Sequence, residues 1–266
     1  MNEDDFKRFV RSFLSDLGLS VRDIPRRNSR TPDFDVVGKN GSYTIELKIK
    51  SDNPEEIKRD NEILLRGEVL SKTTPVGSRN RLYAIIKDGI DQMKVHDPEK
   101  NTFHVLWLHS EGNDPNLLNI QFHATLFGTE TLFSIEKEYA MTCYYYDESA
   151  FFSHRTELDG VILTYNDQLQ LCVNTLSQRK ESFRQSDLYK VLSKGLCDPD
   201  NMQADEGVFI ADCDISRKNP KEIIEYLKTK YSLNHLQRIE MKQHSGTVLL
   251  PESEEGYNKP IEADRQ

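Results

Sequence analysis

Residues 31–50, TPDFDVVGKNGSYTIELKIK, decide how the whole chain is read. Val36 and Val37 run into Gly38-Lys39-Asn40-Gly41, and Asn-Gly is a strong hairpin signal because both residues reach positive φ at little cost. Beyond the turn the residues alternate. Tyr43, Ile45, Leu47 and Ile49 fall on one face of a strand, and Thr44, Glu46, Lys48 and Lys50 on the other. The stretch is therefore predicted to be a β-hairpin that projects Glu46 and Lys48 side by side.

Closing the hairpin brings a second acid to them. A two-residue loop at Asn40-Gly41 pairs Asp35 with Glu46 and Asp33 with Lys48, whereas a loop one residue earlier pairs Asp33 with Glu46. Either register sets a carboxylate opposite Glu46 at roughly 5 Å between Cβ atoms. Two carboxylates that close repel unless a positive charge sits between them, and a hard divalent cation with oxygen ligands is a common remedy. Lys48 is then placed to hold a water or to offset charge developing on a phosphate. The competing reading of the same residues is a solvated amphipathic hairpin.

Pro32-Asp33, twelve intervening residues, then Glu46-Leu47-Lys48 in an apolar strand resembles the PD-(D/E)XK nuclease superfamily, which includes restriction enzymes, Holliday junction resolvases and repair nucleases. The resemblance implies an α/β fold with a restriction endonuclease-like mixed central sheet flanked by helices. It implies a Mg²⁺- or Mn²⁺-dependent deoxyribonuclease in which Asp33, Glu46 and the Leu47 carbonyl hold the metal, with Asp35 in reserve for the other register. Lys48 would orient the attacking water or steady the transition-state charge.

Composition bounds this expectation. The chain of 266 residues is long enough for one large domain or two small ones. Its 36% hydrophobic and 30% charged residues fit a polar protein able to fold. No apolar run nears the roughly 20 residues that span a bilayer, and the acidic start MNEDDFKRF is unlike a signal peptide, so a cytoplasmic protein without membrane contact is expected. Cys143, Cys172, Cys197 and Cys213 form no C-x-x-C pair and are expected to be reduced and mostly packed. The net charge of −9 is unevenly spread: residues 1–110 carry 19 Lys+Arg against 18 Asp+Glu (+1), which leaves 16 against 26 (−10) for 111–266. A DNA-binding surface is therefore expected in the first part, and the acidic second part is expected to meet solvent or a protein partner.

In chain order, residues 2–17 read as a helix whose buried stripe is Phe6, Phe9, Val10, Phe13, Leu14 and Leu17, ended by Gly18. Some superfamily members draw an extra acid from this helix, which singles out Glu3, Asp4 and Asp5; the alternative is acids favoured by the helix dipole. A short strand at 19–24 leads into Arg22, Arg26, Arg27 and Arg30, arginines delivered to the edge of the acidic pair as phosphate positioning requires. Ser29 resembles the serine that resolvase-like members carry there. Residues 51–78 read as a long substrate loop with a short helix at 54–65. A helix at 79–95 buries Leu82, Ile85, Ile86, Ile90 and Met93. It offers Gln92 to the site, although His96 four residues on departs from the Q-x-x-x-Y form of the superfamily.

TFHVLWLH at 102–109, with the only tryptophan, reads as an interior strand covered on both faces. A helix at 116–126 and a strand at 131–135 complete the helix, hairpin, helix, strand, helix, strand order that the resemblance implies. The nuclease core is accordingly assigned to 1–136. Residues 137–266 are assigned to an acidic α/β region with strands near 139–146 and 238–242, a hairpin at 161–173, helices at 185–194 and 220–231, and a disordered tail from about 251. The functional expectation is hydrolysis of DNA phosphodiesters in restriction, antiphage defence or DNA repair, with a homodimer and a protein partner of the acidic region as the candidate assemblies. The alternative is a non-catalytic or partner-dependent nucleic-acid-binding subunit of a defence or repair complex.

Overall fold

A computed structural model describes residues 2–25, 30–239 and 244–251. The opening helix α1 (Glu3–Asp16) starts where the Asn2 side chain accepts from the Asp5 amide, and the chain leaves it through Gly18 at φ +80. Phe6, Val10 and Leu14 form its buried stripe. Phe9, expected in that stripe, is 49% exposed, because a contact face centred on the i, i+4, i+8 row leaves it on the flank. Then follow β1 (Ser20–Asp23), β2 (Phe34–Val37), β3 (Ser42–Lys50), α2 (Pro54–Leu65), β4 (Leu70–Pro75), α3 (Asn80–His96), β5 (Phe103–Ser110), α4 (Pro115–Phe127), β6 (Glu130–Ser134) and β7 (Tyr139–Tyr144). The remainder is α5 (Ala150–Ser153), β8 (Gly160–Tyr165), β9 (Gln168–Val173), α6 (Lys180–Arg184), α7 (Asp187–Val191), β10 (Leu196–Cys197), α8 (Pro199–Glu206), β11 (Phe209–Ile210), α9 (Pro220–Tyr231), β12 (Leu236–Arg238) and β13 (His244–Leu249).

The fold is mixed α/β around a seven-stranded mixed sheet of order β1-β2-β3-β5-β8-β9-β10, with helices on its faces. β1, β2 and β3 are antiparallel neighbours, β3, β5 and β8 run parallel, and β9 turns back antiparallel at the Asn166–Asp167 corner, where Asn166 takes φ +44. Every residue of β5 is buried, His104, His109 and Ser110 included, as its near-continuous apolar run predicts. Val105 and Trp107 face α1 in one core with Phe6, Phe34, Ile45 and Leu47. Leu106 and Leu108 face α3 and α4 in the other, with Ile86, Ile90 and Phe122. A four-stranded sheet, β11-β7-β6-β12, buries Leu132, Cys143 and Phe209 with Ile223 and Leu227 of α9.

Three expectations are corrected. The strand at 131–135 forms, as β6, but in the four-stranded sheet; the neighbour of β5 on the far side from β3 is β8. The central sheet therefore draws on both sides of residue 136. The two compact units divide elsewhere: one comprises residues 1–51 and 76–243, the other 52–75 and 244–266. The second unit is the third correction. Within the stretch expected as a substrate loop, α2 forms as predicted and β4 pairs antiparallel with β13, Leu70 with Leu249 through Pro75 with His244. Of the strand expected at 238–242, Arg238 ends β12 and 240–242 lie outside the described residues, as does the tail from residue 252. All four cysteines are free, three of them buried. Among the described residues no helix is long and apolar enough to cross a membrane.

Candidate active site

The hairpin turn sets which acids meet. Gly38 N donates to Gly41 O at 2.8 Å, so the two-residue loop is Lys39-Asn40, one step earlier than Asn-Gly chemistry favours, and neither Asn40 nor Gly41 takes positive φ. The reason lies far along the chain. The Asp187 carboxylate, at the start of α7, accepts from Asn40 N at 2.7 Å and from Asn40 Nδ2 at 2.9 Å. It comes so close that a Cβ on Gly38 would lie 2.2 Å from Asp187 Oδ2. A tertiary clamp thus overrides the local turn preference, and Gly38 is the glycine the turn requires.

That register pairs Asp35 with Thr44 and Phe34 with Ile45, and Asp33, just before the paired residues, comes beside Glu46. Asp33 caps the exposed end of the pairing: its amide donates to Ile45 O, and its Oδ2 accepts from Leu47 N at 3.0 Å. Because N–H and C=O of one strand residue leave from the same edge, the Leu47 carbonyl also faces Asp33. Asp33 Oδ1 accepts from Lys7 Nζ of α1 at 2.8 Å. Glu3, Asp4 and Asp5 instead stand in the first turn of α1, where negative charge offsets the helix dipole.

Glu46 and Lys48 lie on the α3 side of β3, beside Leu106 and Leu108 of β5 in the parallel register. Polar residues here interrupt an otherwise apolar layer. Glu46 is only 3% exposed; Lys48 Nζ reaches its Oε1 at 2.7 Å, while Oε2 is buried with no hydrogen-bond partner. Burial, and then the neighbouring Asp33 charge, push its carboxyl up to about 7, against the pull of Lys48. Lys48 is itself held above its ordinary value: the burial cost is outweighed by Glu46 and Asp88.

α3 approaches this pair closely because of Gly89. A Cβ there would lie 2.4 Å from Leu106 Cδ1 and 3.3 Å from Glu46 Cγ. The preceding residue, Asp88, accepts from Lys48 Nζ at 2.9 Å and from Gln92 Nε2 at 3.1 Å, and pairs with Arg30. Burial would raise the Asp88 carboxyl, but Lys48 first and then Arg30 hold it below the usual carboxylate range.

Of the residues singled out in the sequence, Asp33, Glu46, Leu47, Lys48, Gln92 and Arg30 come together here, with Gln92 buried and acting through Asp88. Asp35 stands apart, held by Arg22 at 2.8 Å and His96 at 3.1 Å. Arg26, Arg27 and Ser29 lie outside the described residues. Sequence reasoning missed Asp88 and Lys7. The signal for Asp88 was present: a glycine in a helix interior marks a close approach, and Asp88 shares a face with Gln92 four residues on.

The donor set is two adjacent carboxylates, one with a buried unbonded oxygen, and a strand carbonyl. This is oxygen chemistry that suits a hard divalent cation. Among the described residues no group of three or more His, Cys, Asp and Glu side chains is arranged to hold a metal. Compared with protein-family models, curated proteins and solved structures, the chain matches none.

Proposed function

We propose that the chain is a Mg²⁺- or Mn²⁺-dependent deoxyribonuclease of the PD-(D/E)XK kind. The observation that carries the reading is Glu46: a buried carboxylate with one oxygen unbonded, beside Asp33 and joined to Lys48 on a single strand face. A buried anion left incomplete costs stability, and such sites concentrate where chemistry is done. The order of α1, the hairpin β2–β3, α3, β5 and α4 supports this reading, with α2 and β4 inserted after the hairpin and the last strand of the expected order, β6, in the other sheet.

Asp33, Glu46 and the Leu47 carbonyl are the groups that would hold the cation, which would supply Lewis-acid polarisation of a phosphodiester oxygen. Lys48 keeps its proton between two carboxylates, which suits it to steady negative charge on a phosphate. Asp88 fixes where its ammonium stands, and Gln92 fixes Asp88. Arg30 brings a further cation to the rim of the cluster for a DNA phosphate.

Incubating wild type and Lys48→Ala with circular and linear DNA, with and without Mg²⁺ or Mn²⁺, tests the reading. Metal-dependent cleavage lost in Lys48→Ala is the expected result. Failure of the wild type to bind either metal by calorimetry, with DNA present, would point instead to a non-catalytic binding module.

A further inference from the structure

A second polar site lies at the other end of α3. A cavity of about 390 Å³ opens between the first turn of α3, the end of α4, α5 and residues 216–218. Asp88 is eight residues beyond Asn80, roughly 12 Å along the helix at 1.5 Å per residue, so the cavity is separate from the Glu46 cluster. Its lining includes three cations, Arg79, Arg217 and Lys218, against one carboxylate, the exposed Glu148. In a chain of net charge −9, this is a local reversal of sign.

Arg217 is the buried charge of this site. It is only 7% exposed, yet among the described residues no carboxylate pairs with it. Its Nη1 donates to Ile215 O at 2.7 Å and to Cys213 Sγ at 3.7 Å and its Nη2 to Ala211 O at 2.6 Å, its Nε is buried with no hydrogen-bond partner, and the guanidinium carbon stands 3.7 Å from the centre of the Phe152 ring. These neutral partners take up donors but leave the charge without a counter-ion, and buried charges are ordinarily paired. The rest of the lining suits an anion as well. α3 begins without a side-chain cap from its N-cap residue Arg79, whose own N–H donates to Thr125 Oγ1 at 3.1 Å, and the helix-starting N–H groups that follow have no partner within the helix. Ser78, Asn80 and Ser153 add further donors around the cavity.

We propose that this cavity binds the phosphate of a phosphomonoester, with Lys218 and Arg217 supplying the charge and the first turn of α3 supplying donors. A free nucleoside monophosphate and the terminal phosphate of a DNA strand present the same group. The volume accommodates a ligand of that size.

Calorimetry on the full chain at low ionic strength tests this with inorganic phosphate, deoxyadenosine monophosphate, and a short single-stranded oligonucleotide with and without a 5′-phosphate. Saturable binding of the phosphate-bearing probes is expected, weakened at least tenfold in Lys218→Glu, an exposed position whose replacement spares the fold. Tighter binding of the phosphorylated oligonucleotide than of the mononucleotide assigns the ligand to a DNA end, and the reverse assigns it to a free nucleotide. The proposal is overturned if no probe saturates, if Lys218→Glu binds as wild type does, or if the unphosphorylated oligonucleotide binds equally well. None of these outcomes depends on nuclease activity, so the two readings stand or fall separately.

Discussion

Two networks of buried charge are built to opposite ends in this chain. Around Asp198 every acceptor is taken: Arg184 grips it through Nε at 2.9 Å and Nη2 at 2.8 Å, Tyr189 adds its hydroxyl at 3.1 Å, and the Asp200 amide adds a longer bond at 3.2 Å. Arg184 also reaches Asp200, which Lys180 holds at 2.8 Å. The hydrogen bond to Asp198 in turn holds the Arg184 guanidinium above its ordinary value. Around Glu46 the account is left open. One oxygen is bonded and one is buried alone, and a second carboxylate stands beside it. A completed network fixes α6, α7 and α8 to one another, whereas an incomplete one has capacity left for something that arrives.

The two networks should differ most in what they do for activity. Glu46→Gln should remove cleavage by about 10³-fold or more, with Asp33→Asn and Lys48→Ala comparable and double variants costing little beyond the singles, because the three act as one unit. Arg184→Met should leave the rate per folded molecule unchanged but cost about 3–5 kcal/mol of stability, since it strands a buried carboxylate. Urea unfolding alongside a nuclease assay reads both. If Glu46→Gln cleaved DNA like wild type, the open network would be no more functional than the closed one.

A smaller effect separates the networks by pH. The Glu46 carboxyl stands at about 7 in the fold against an ordinary 4.5, so the stability it contributes is complete below the unfolded value and is lost as pH rises through 7. At 1.36 kcal/mol per pKa unit the loss approaches about 3 kcal/mol. In the presence of a chelator, Glu46→Gln should therefore match wild type at pH 4.5 and exceed it in stability at pH 8. Added Mg²⁺ should narrow that gap for wild type alone. A difference between the two proteins that stayed flat from pH 5 to 8 would mean that Glu46 is better satisfied than its geometry indicates.

Gly89→Ala is expected to cost about 1–3 kcal/mol despite the better helix propensity of alanine, because the added methyl meets Leu106 in a packed core. A gain in thermal stability would show that α3 has room to move away from β3. That helix also marks the limit of what the sequence discloses. The alternation of 43–49, the stripe of α1 apart from Phe9 and the near-continuous apolar run of β5 are short-range patterns, and each formed where it was read. The turn register was not legible, because Asp187, 147 residues from Asn40, selects it. Nor was the pairing of β4 with β13, or of β5 with β8, since strand partners remote in sequence leave no local mark. In the candidate site, the placing of Glu46 beside Lys48 on one strand face was readable from spacing, whereas the choice between Asp33 and Asp35 waited on the turn register. Asp88 was not, because its part depends on a helix crossing that only Gly89 hinted at.

The smallest expected effect concerns Arg30, and it tests whether the open network extends to DNA. Its side chain is 75% exposed and its partner among the described residues is Asp88, the same carboxylate that holds Lys48. If Arg30 meets a phosphate when DNA is bound, Arg30→Ala should lower the slope of log K against log salt by about 0.9 on duplex DNA, uniformly across sequences. Asp88→Asn separates this contact from a purely internal role. It frees Arg30 for DNA while loosening Lys48, so binding should hold or tighten as cleavage falls. If Arg30→Ala left the salt slope untouched and lowered cleavage as much as Asp88→Asn does, Arg30 would belong to the support of Lys48, and the DNA path would have to be sought on another edge of the sheet.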